Sequence, residues 1–126
     1  MRALVIDDEP LVRTALAKLL AHRSDIDEFE VAEDAIQALA QLARRPFDVL
    51  LVDIHMPEMS GLQLIEHLSK QIGPMPSVIF ITAYHEHAVE AFEKRAVDYV
   101  LKPFLPARVH DALDAGLRAP RSAAAE

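Results

Sequence analysis

Val49-Leu50-Leu51-Val52-Asp53, running on into Ile54-His55-Met56-Pro57-Glu58-Met59-Ser60-Gly61, is the stretch whose reading decides the fold. Four consecutive aliphatic residues, two of them β-branched, describe a strand covered on both faces, as in a parallel sheet packed between helices. Asp53 ends that run in a carboxylate, and a loop carrying Pro57 and Gly61 follows. The carboxyl edge of a central strand is where an open α/β sheet holds its ligands. A single Asp there is often only a turn or cap residue, so the weight falls on the rest of the chain.

Upstream, Ala3-Leu4-Val5-Ile6 is a short apolar strand stopped by Asp7-Asp8-Glu9-Pro10. Pro10 suits a first helical turn, where its missing N–H costs nothing, and the acids before it complement the helix dipole. Leu11, Val12, Ala15, Leu16, Leu19 and Leu20 then recur at helical spacing to about Ala21. Phe29, Val31 and Ala32 give a less apolar strand suited to a sheet edge, and Asp34 caps a helix carrying Ile36, Leu39, Leu42 and Ala43 on one face. Beyond the central strand, Leu62, Ile65, Leu68 and Ile72 mark a third helix, ended by Gly73-Pro74. Val78-Ile79-Phe80-Ile81 is a buried strand closing in Thr82-Ala83. Ala88, Val89, Ala91 and Phe92 then form a short helix with a thin apolar stripe. Tyr99-Val100-Leu101 is a fifth strand, closed by Lys102-Pro103, and Val109, Ala112, Leu113, Gly116 and Leu117 line the last helix.

Five strands alternating with five helices predict an α/β fold, a doubly wound five-stranded parallel sheet with helices on both faces. Right-handed crossovers leave few strand orders, and 2-1-3-4-5, the flavodoxin-like one, is expected. One domain over residues 1–118 accounts for the pattern. Residues 119–126 read as a flexible tail or the start of a linker.

Composition narrows the function classes. No apolar run reaches membrane length and Met1-Arg2 leads straight into a strand, so neither a membrane partner nor a secretory signal is expected. The absence of cysteine removes disulfides, thiol chemistry and Cys-based zinc sites, and points to a cytoplasmic location. A net charge of −7 argues against direct contact with nucleic acid, whose phosphates need a basic patch.

In the expected strand order Asp7 and Asp8 lie beside Asp53. Each close pair of carboxylates costs up to ~4 kcal/mol at an effective dielectric near 20. Such a cluster must protonate, take up a cation or bind a metal. Oxygen ligands with no Cys and no His side chain among them favour Mg²⁺, with Mn²⁺ as the other option, over zinc. Taken alone, Asp7, Asp8 and Glu9 are more simply read as acids capping the first helix. Thr82 at the end of the fourth strand and Lys102 at the end of the fifth change that balance. A carboxylate nucleophile, a metal seat, a hydroxyl and an ammonium at one edge are the parts that stabilise a transferring phosphoryl group.

These residues resemble the receiver domain of two-component response regulators over nearly all of residues 2–118. The likeness rests on Asp7-Asp8-Glu9, Asp53 with Met56-Pro57 and Gly61, Thr82-Ala83, and Tyr99 three residues before Lys102-Pro103. The resemblance implies that Asp53 is the phosphorylation site, taking its phosphoryl group from a sensor histidine kinase. It implies that Asp8, Asp53 and the backbone carbonyl of His55 hold Mg²⁺, with Asp7 reaching it through water. Lys102 and Thr82 would contact the phosphoryl oxygens, the Lys102–Pro103 bond would be cis, and Thr82 and Tyr99 would act as the switch. The face formed by the fourth helix, fifth strand and fifth helix would then change its partner affinity and favour a homodimer. Catalysis is expected to be limited to the domain's own phosphorylation and dephosphorylation. Thr82-Ala83-Tyr84, Ala91-Phe92 and Ala96-Val97-Asp98-Tyr99 further resemble receivers that precede LytTR-type DNA-binding domains, which would place DNA contact and transcription control in the output domain.

One departure stands out: Arg95 occupies a position where many receivers carry Gly, and a left-handed backbone there costs Arg more, so a different corner is expected. His85 and His87 form an H-x-H read as solvated, the His55 side chain is a candidate for controlling water access to the metal loop, and His22, His67 and His110 carry no pattern. Two other classes compete. A haloacid-dehalogenase-like phosphatase would need D-x-D after the first strand, where Asp7-Asp8-Glu9 stands. A flavin carrier would need hydroxyls and amides in the first loop, where three acids repel phosphate. A stand-alone receiver signalling by protein contact remains the third option.

Overall fold

Apolar strands with no polar face must be covered from both sides, and the architecture follows from that need. In the computed structural model, which describes residues 1–71 and 73–118, the elements follow in order β1 (Arg2–Ile6), α1 (Pro10–Ala21), β2 (Glu28–Ala32), α2 (Ala35–Arg44), β3 (Val49–Val52), α3 (Gly61–Ser69), β4 (Ser77–Thr82), α4 (Ala88–Glu93), β5 (Asp98–Leu101) and α5 (Pro106–Arg118). All pairings are parallel, in the order β2-β1-β3-β4-β5, with the less apolar β2 at an edge as expected. Every residue of β3 and β4 is buried.

The two-residue period of the strands divides the core into two layers. Leu4, Ile6, Leu50, Val52, Val78 and Phe80 face α2, α3 and α4, meeting Ala35, Ala38, Ile65 and Ala91. Ala3, Val5, Val49, Leu51, Ile79 and Ile81 face α1 and α5, meeting Leu16, Leu20, Val109 and Leu113. Each large side chain fully withdrawn from water contributes about 1.5–3 kcal/mol. Neither sheet face is left open, which is why the three inner strands β1, β3 and β4 carry few polar residues.

Helix faces are where the expected pattern needs correction. In α2 the stripe is Ala35, Ala38, Leu39 and Leu42, while Ile36 is 53% exposed. The small alanines let the helix lie close to the sheet, and that sets its rotation. In α1, Leu11 (85% exposed) and Ala15 turn to solvent, whereas Val12, Leu16, Leu19 and Leu20 pack inward. Helix α3 starts with a capping box between Ser60 and Gln63 and closes at Ser69, ahead of Gly73-Pro74. Its last turn is tied off by the Lys70 N–H on the His67 and Leu68 carbonyls. Ile72, expected in its stripe, and the tail 119–126 lie outside the described residues.

A 3-10 turn over His85–His87 leads into α4, in which only Ala88 and Ala91 reach the core; Val89 and Phe92 are 72% and 57% exposed. Arg95 does take the left-handed backbone, at φ 62°, so the expected different corner is not found. The Arg95 N–H donates to the Phe92 carbonyl at 3.0 Å and the Ala96 N–H to the Ala91 carbonyl at 3.2 Å. That pair is a Schellman closure of α4, with Arg where glycine is usual. Arg95→Gly is therefore expected to raise stability by about 0.5–1 kcal/mol, read as a higher urea midpoint at unchanged slope.

Candidate functional site

Parallel register delivers the acids to one place. Ile6 pairs with Val52, so the next residues, Asp7 and Asp53, leave the sheet side by side. The Asp53 N–H donates to the Ile6 carbonyl at 2.9 Å and the Asp7 N–H to the Ala32 carbonyl at 3.1 Å, which fixes both backbones. On the other flank Thr82 pairs with Leu101, and the Lys102 N–H donates to the Thr82 carbonyl at 2.8 Å. The ends of β1, β3, β4 and β5 thus meet at the switch point of the sheet. The Lys102–Pro103 peptide is cis.

Asp7 is 1% exposed, Asp53 5% and Thr82 0%, whereas Asp8 and Glu9 are open to solvent. The Lys102 ammonium lies 2.9 Å from Asp7 Oδ2, 2.6 Å from Glu9 Oε1 and 3.5 Å from Asp53 Oδ2. One cation against this many acids leaves the pocket short of positive charge. Burial, followed by the charge of Asp7, raises the Asp53 pKa to about 6 against the pull of Lys102. Burial also raises Asp7, although the Glu9 N–H and Lys102 pull the other way. Burial alone would lower Lys102, but its pairing with Glu9 and Asp7 and the Asp53 charge hold it above its ordinary value.

Asp7, Asp8, Glu9 and Asp53 each offer a carboxylate oxygen, and these oxygens all lie within 4.8 Å of one another. The buried Asp7 Oδ2 has no hydrogen-bond donor aligned on it, even with the Lys102 ammonium close by. A buried carboxylate oxygen whose one neighbouring cation is shared with Glu9 and Asp53, within an all-oxygen donor set, fits a hard divalent cation such as Mg²⁺ or Mn²⁺. The sequence reading gives Glu9 a place in the Asp7-Asp8-Glu9 motif but no ligand role. Its bond to Lys102 depends on that side chain reaching from the β5 end past β4 and β3 to the β1 end, which local sequence does not reveal. Arg13 also reaches the site: its Nη1 donates to the Asp7 carbonyl at 2.8 Å, a contact local to the first turn of α1.

The switch candidates are linked through Tyr84. Its N–H donates to Thr82 Oγ1 at 3.4 Å, and its carbonyl accepts from the Tyr99 hydroxyl. Tyr99 is 9% exposed, so its ring is already turned inward. His55 is exposed and packs on the Tyr84 ring at 4.1 Å between centres. His85 is solvated as read from the sequence, but His87 is not: its side chain is largely covered, and its Nε2 lies 3.2 Å from His55 Nε2. His110 also gains a partner, Arg23, across 3.0 Å.

A doubly wound sheet with a buried aspartate, flanking acids and a lysine at its switch point defines a class of acidic crevice whose donor set suits a hard cation. The response regulator receiver domain model matches residues 3–114. The chain is 41% identical over 114 residues to the sensory transduction protein LytR of Staphylococcus epidermidis, covering 90% of this chain and 45% of that protein. It superposes on the response regulatory domain of protein mrkE from Klebsiella pneumoniae with a TM-score of 0.84 and 33% identity, over 92% of this chain and 94% of that one. Response regulator TrrA from Thermotoga maritima, solved in complex with Mg²⁺ and BeF, gives a TM-score of 0.75 at 27% identity over 90% and 96% of the two chains. This chain belongs to the response regulator receiver family, and its similarity to LytR agrees with the LytTR-type resemblance of its sequence. It spans about half the length of the curated relatives it matches.

Proposed function

We propose that the chain is the phosphoacceptor module of a LytTR-type transcription regulator, with Asp53 taking a phosphoryl group from a sensor histidine kinase in the cytoplasm. The observation that carries this reading is the convergence of Asp7, Asp53 and Lys102 in one buried, cation-deficient pocket. Asp7, Asp8, Asp53 and the His55 carbonyl would hold Mg²⁺ or Mn²⁺; when bound, the ion neutralises charge on the phosphoryl oxygens.

An Asp53 carboxylate oxygen bonds phosphorus as the phosphohistidine P–N bond breaks, and the imidazole leaves and takes up a proton. Lys102, already 3.5 Å from Asp53 Oδ2, exchanges its Asp7 and Glu9 partners for a phosphoryl oxygen. The Thr82 hydroxyl gives up the Tyr84 N–H and turns to the new group, loosening the link from Tyr84 to Tyr99. Charge stabilisation by a single positioned donor is commonly worth 10²–10³ in rate. Lys102→Ala is expected to slow phosphoryl uptake by about that factor. The defining test is labelled phosphoryl transfer from an autophosphorylated sensor histidine kinase to the wild type and to Asp53→Asn. Transfer to the Asn variant at the wild-type level would sink the reading.

The output would run through the face of α4, β5 and α5, where Val89, Phe92 and Leu101 are exposed. Beryllofluoride with Mg²⁺ is expected to shift the protein from monomer towards dimer in analytical ultracentrifugation. An unchanged sedimentation coefficient would remove the homodimer. DNA contact is assigned to a LytTR-type output domain outside these residues, in keeping with the net charge of −7.

A further inference from the structure

The phosphoryl reading leaves one pair of metal-competent side chains unused. His55, in the loop after β3, and His87, at the start of α4, bring their Nε2 atoms to 3.2 Å with ring centres 5.1 Å apart. We propose that these two nitrogens form a second cation site, selective for a borderline-soft divalent ion of the Zn²⁺, Ni²⁺ or Cu²⁺ class.

The spacing is what a shared ion requires. An ion about 2.0–2.1 Å from each imidazole nitrogen at a near-tetrahedral angle puts the nitrogens about 3.3 Å apart and the ring centres about 5 Å apart. Without an ion the same two atoms share one hydrogen, one ring donating and the other accepting. Imidazole nitrogens suit this class of ion, and the oxygen-only pocket around Asp53 suits the harder one. The chain can therefore sort two cations between neighbouring sites.

Each ring is also held from behind. His55 rests on the Tyr84 ring, with 4.1 Å between centres. Glu90 Oε1 lies 3.8 Å from His87 Nδ1, where a small closing movement lets the carboxylate take the Nδ1–H and leave Nε2 free to ligate. The remaining positions fall to water, because the acidic pocket supplies the only group of three or more candidate ligands among the described residues. A bound ion ties the start of α4 to the loop after β3 and so restrains the segment that the switch has to move.

This proposal stands apart from the phosphoryl reading, and Mg²⁺ enters its test only to occupy the acidic pocket. The untagged full chain, in excess Mg²⁺ at neutral pH, is titrated with Zn²⁺ and followed by calorimetry and by the histidine ring signals in NMR. One equivalent is expected to bind, moving the His55 and His87 signals together. His87→Ala and the length-preserving His87→Gln should both weaken binding at least tenfold, and His85→Ala should leave it unchanged. Wild-type affinity in either His87 variant, no saturable binding, or unmoved His55 and His87 signals would each overturn the site.

Discussion

Asp53→Asn is expected to fold more stably than the parent in Mg²⁺-free buffer at pH 7, by roughly 1–3 kcal/mol. Asp53 is 5% exposed, faces Asp7 and shares a single ammonium with it. Its pKa of about 6 lies some two units above the ordinary carboxylate value, and each unit is worth about 1.4 kcal/mol. The sign follows from the raised value. The folded protein binds this proton more tightly than the unfolded chain, so the penalty is absent below about pH 4. It grows as pH rises towards 6 and is complete above that. The Asn variant lacks this part of the pH slope. Adding Mg²⁺ should narrow the gap, because binding to the folded parent adds about 1.4 kcal/mol at tenfold excess over the dissociation constant. Urea melts in EDTA and in Mg²⁺ at pH 5 and 7 check both halves. An Asn variant less stable than the parent in EDTA at pH 7 would contradict the charge imbalance inferred for the pocket.

Gly61→Ala is the substitution expected to harm both fold and site. A Cβ at Gly61 would stand 2.2 Å from the Asp53 carbonyl oxygen and 2.9 Å from Val52 Cγ1. The first of these neighbours is backbone, so no rotamer change relieves it. Gly61 opens α3, and its N–H donates to the Ile54 carbonyl at 2.8 Å, which seats the helix directly on the strand end carrying Asp53. Alanine's better helix propensity returns under ~1 kcal/mol. Overpacking against backbone costs about 3 kcal/mol, so the clash decides the sign. The thermal midpoint should fall by several degrees, and phosphoryl uptake should drop because the Asp53 backbone has to move. A variant melting at or above the parent would show that the helix end is free to shift.

Much of this was legible in the sequence, for physical reasons. Val49-Leu50-Leu51-Val52 has no polar face, so burial on both sides was forced, and the alternation of strands and helices restricted the order of the sheet. Asp53, Asp7 and Lys102 could be brought together because the topology dictates where strand ends meet. Helix rotation was harder to read. Hydrophobicity alone places Ile36 and Leu11 in the core, but Ala35 and Ala38 let α2 approach the sheet more closely than isoleucine would, and Val12, Leu16, Leu19 and Leu20 already fill the inner face of α1. Backbone cost alone argues against a left-handed Arg95, yet the hydrogen bonds closing α4 outweigh it. The Glu9–Lys102 and His55–His87 pairs each join segments distant in the chain through side-chain reach, which periodicity does not encode.

The central claim is that one aspartate, served by its neighbouring acids and Lys102, accepts a phosphoryl group with the help of a hard cation. Its most direct measurement is intact-protein and peptide mass after incubation with acetyl phosphate, with Mg²⁺ and with EDTA. One phosphoryl mass on the peptide containing Asp53, formed with Mg²⁺ and absent with EDTA, is the predicted result. Phosphoryl mass on Asp7 or another side chain, or equal labelling of Asp53 in EDTA, would contradict the account.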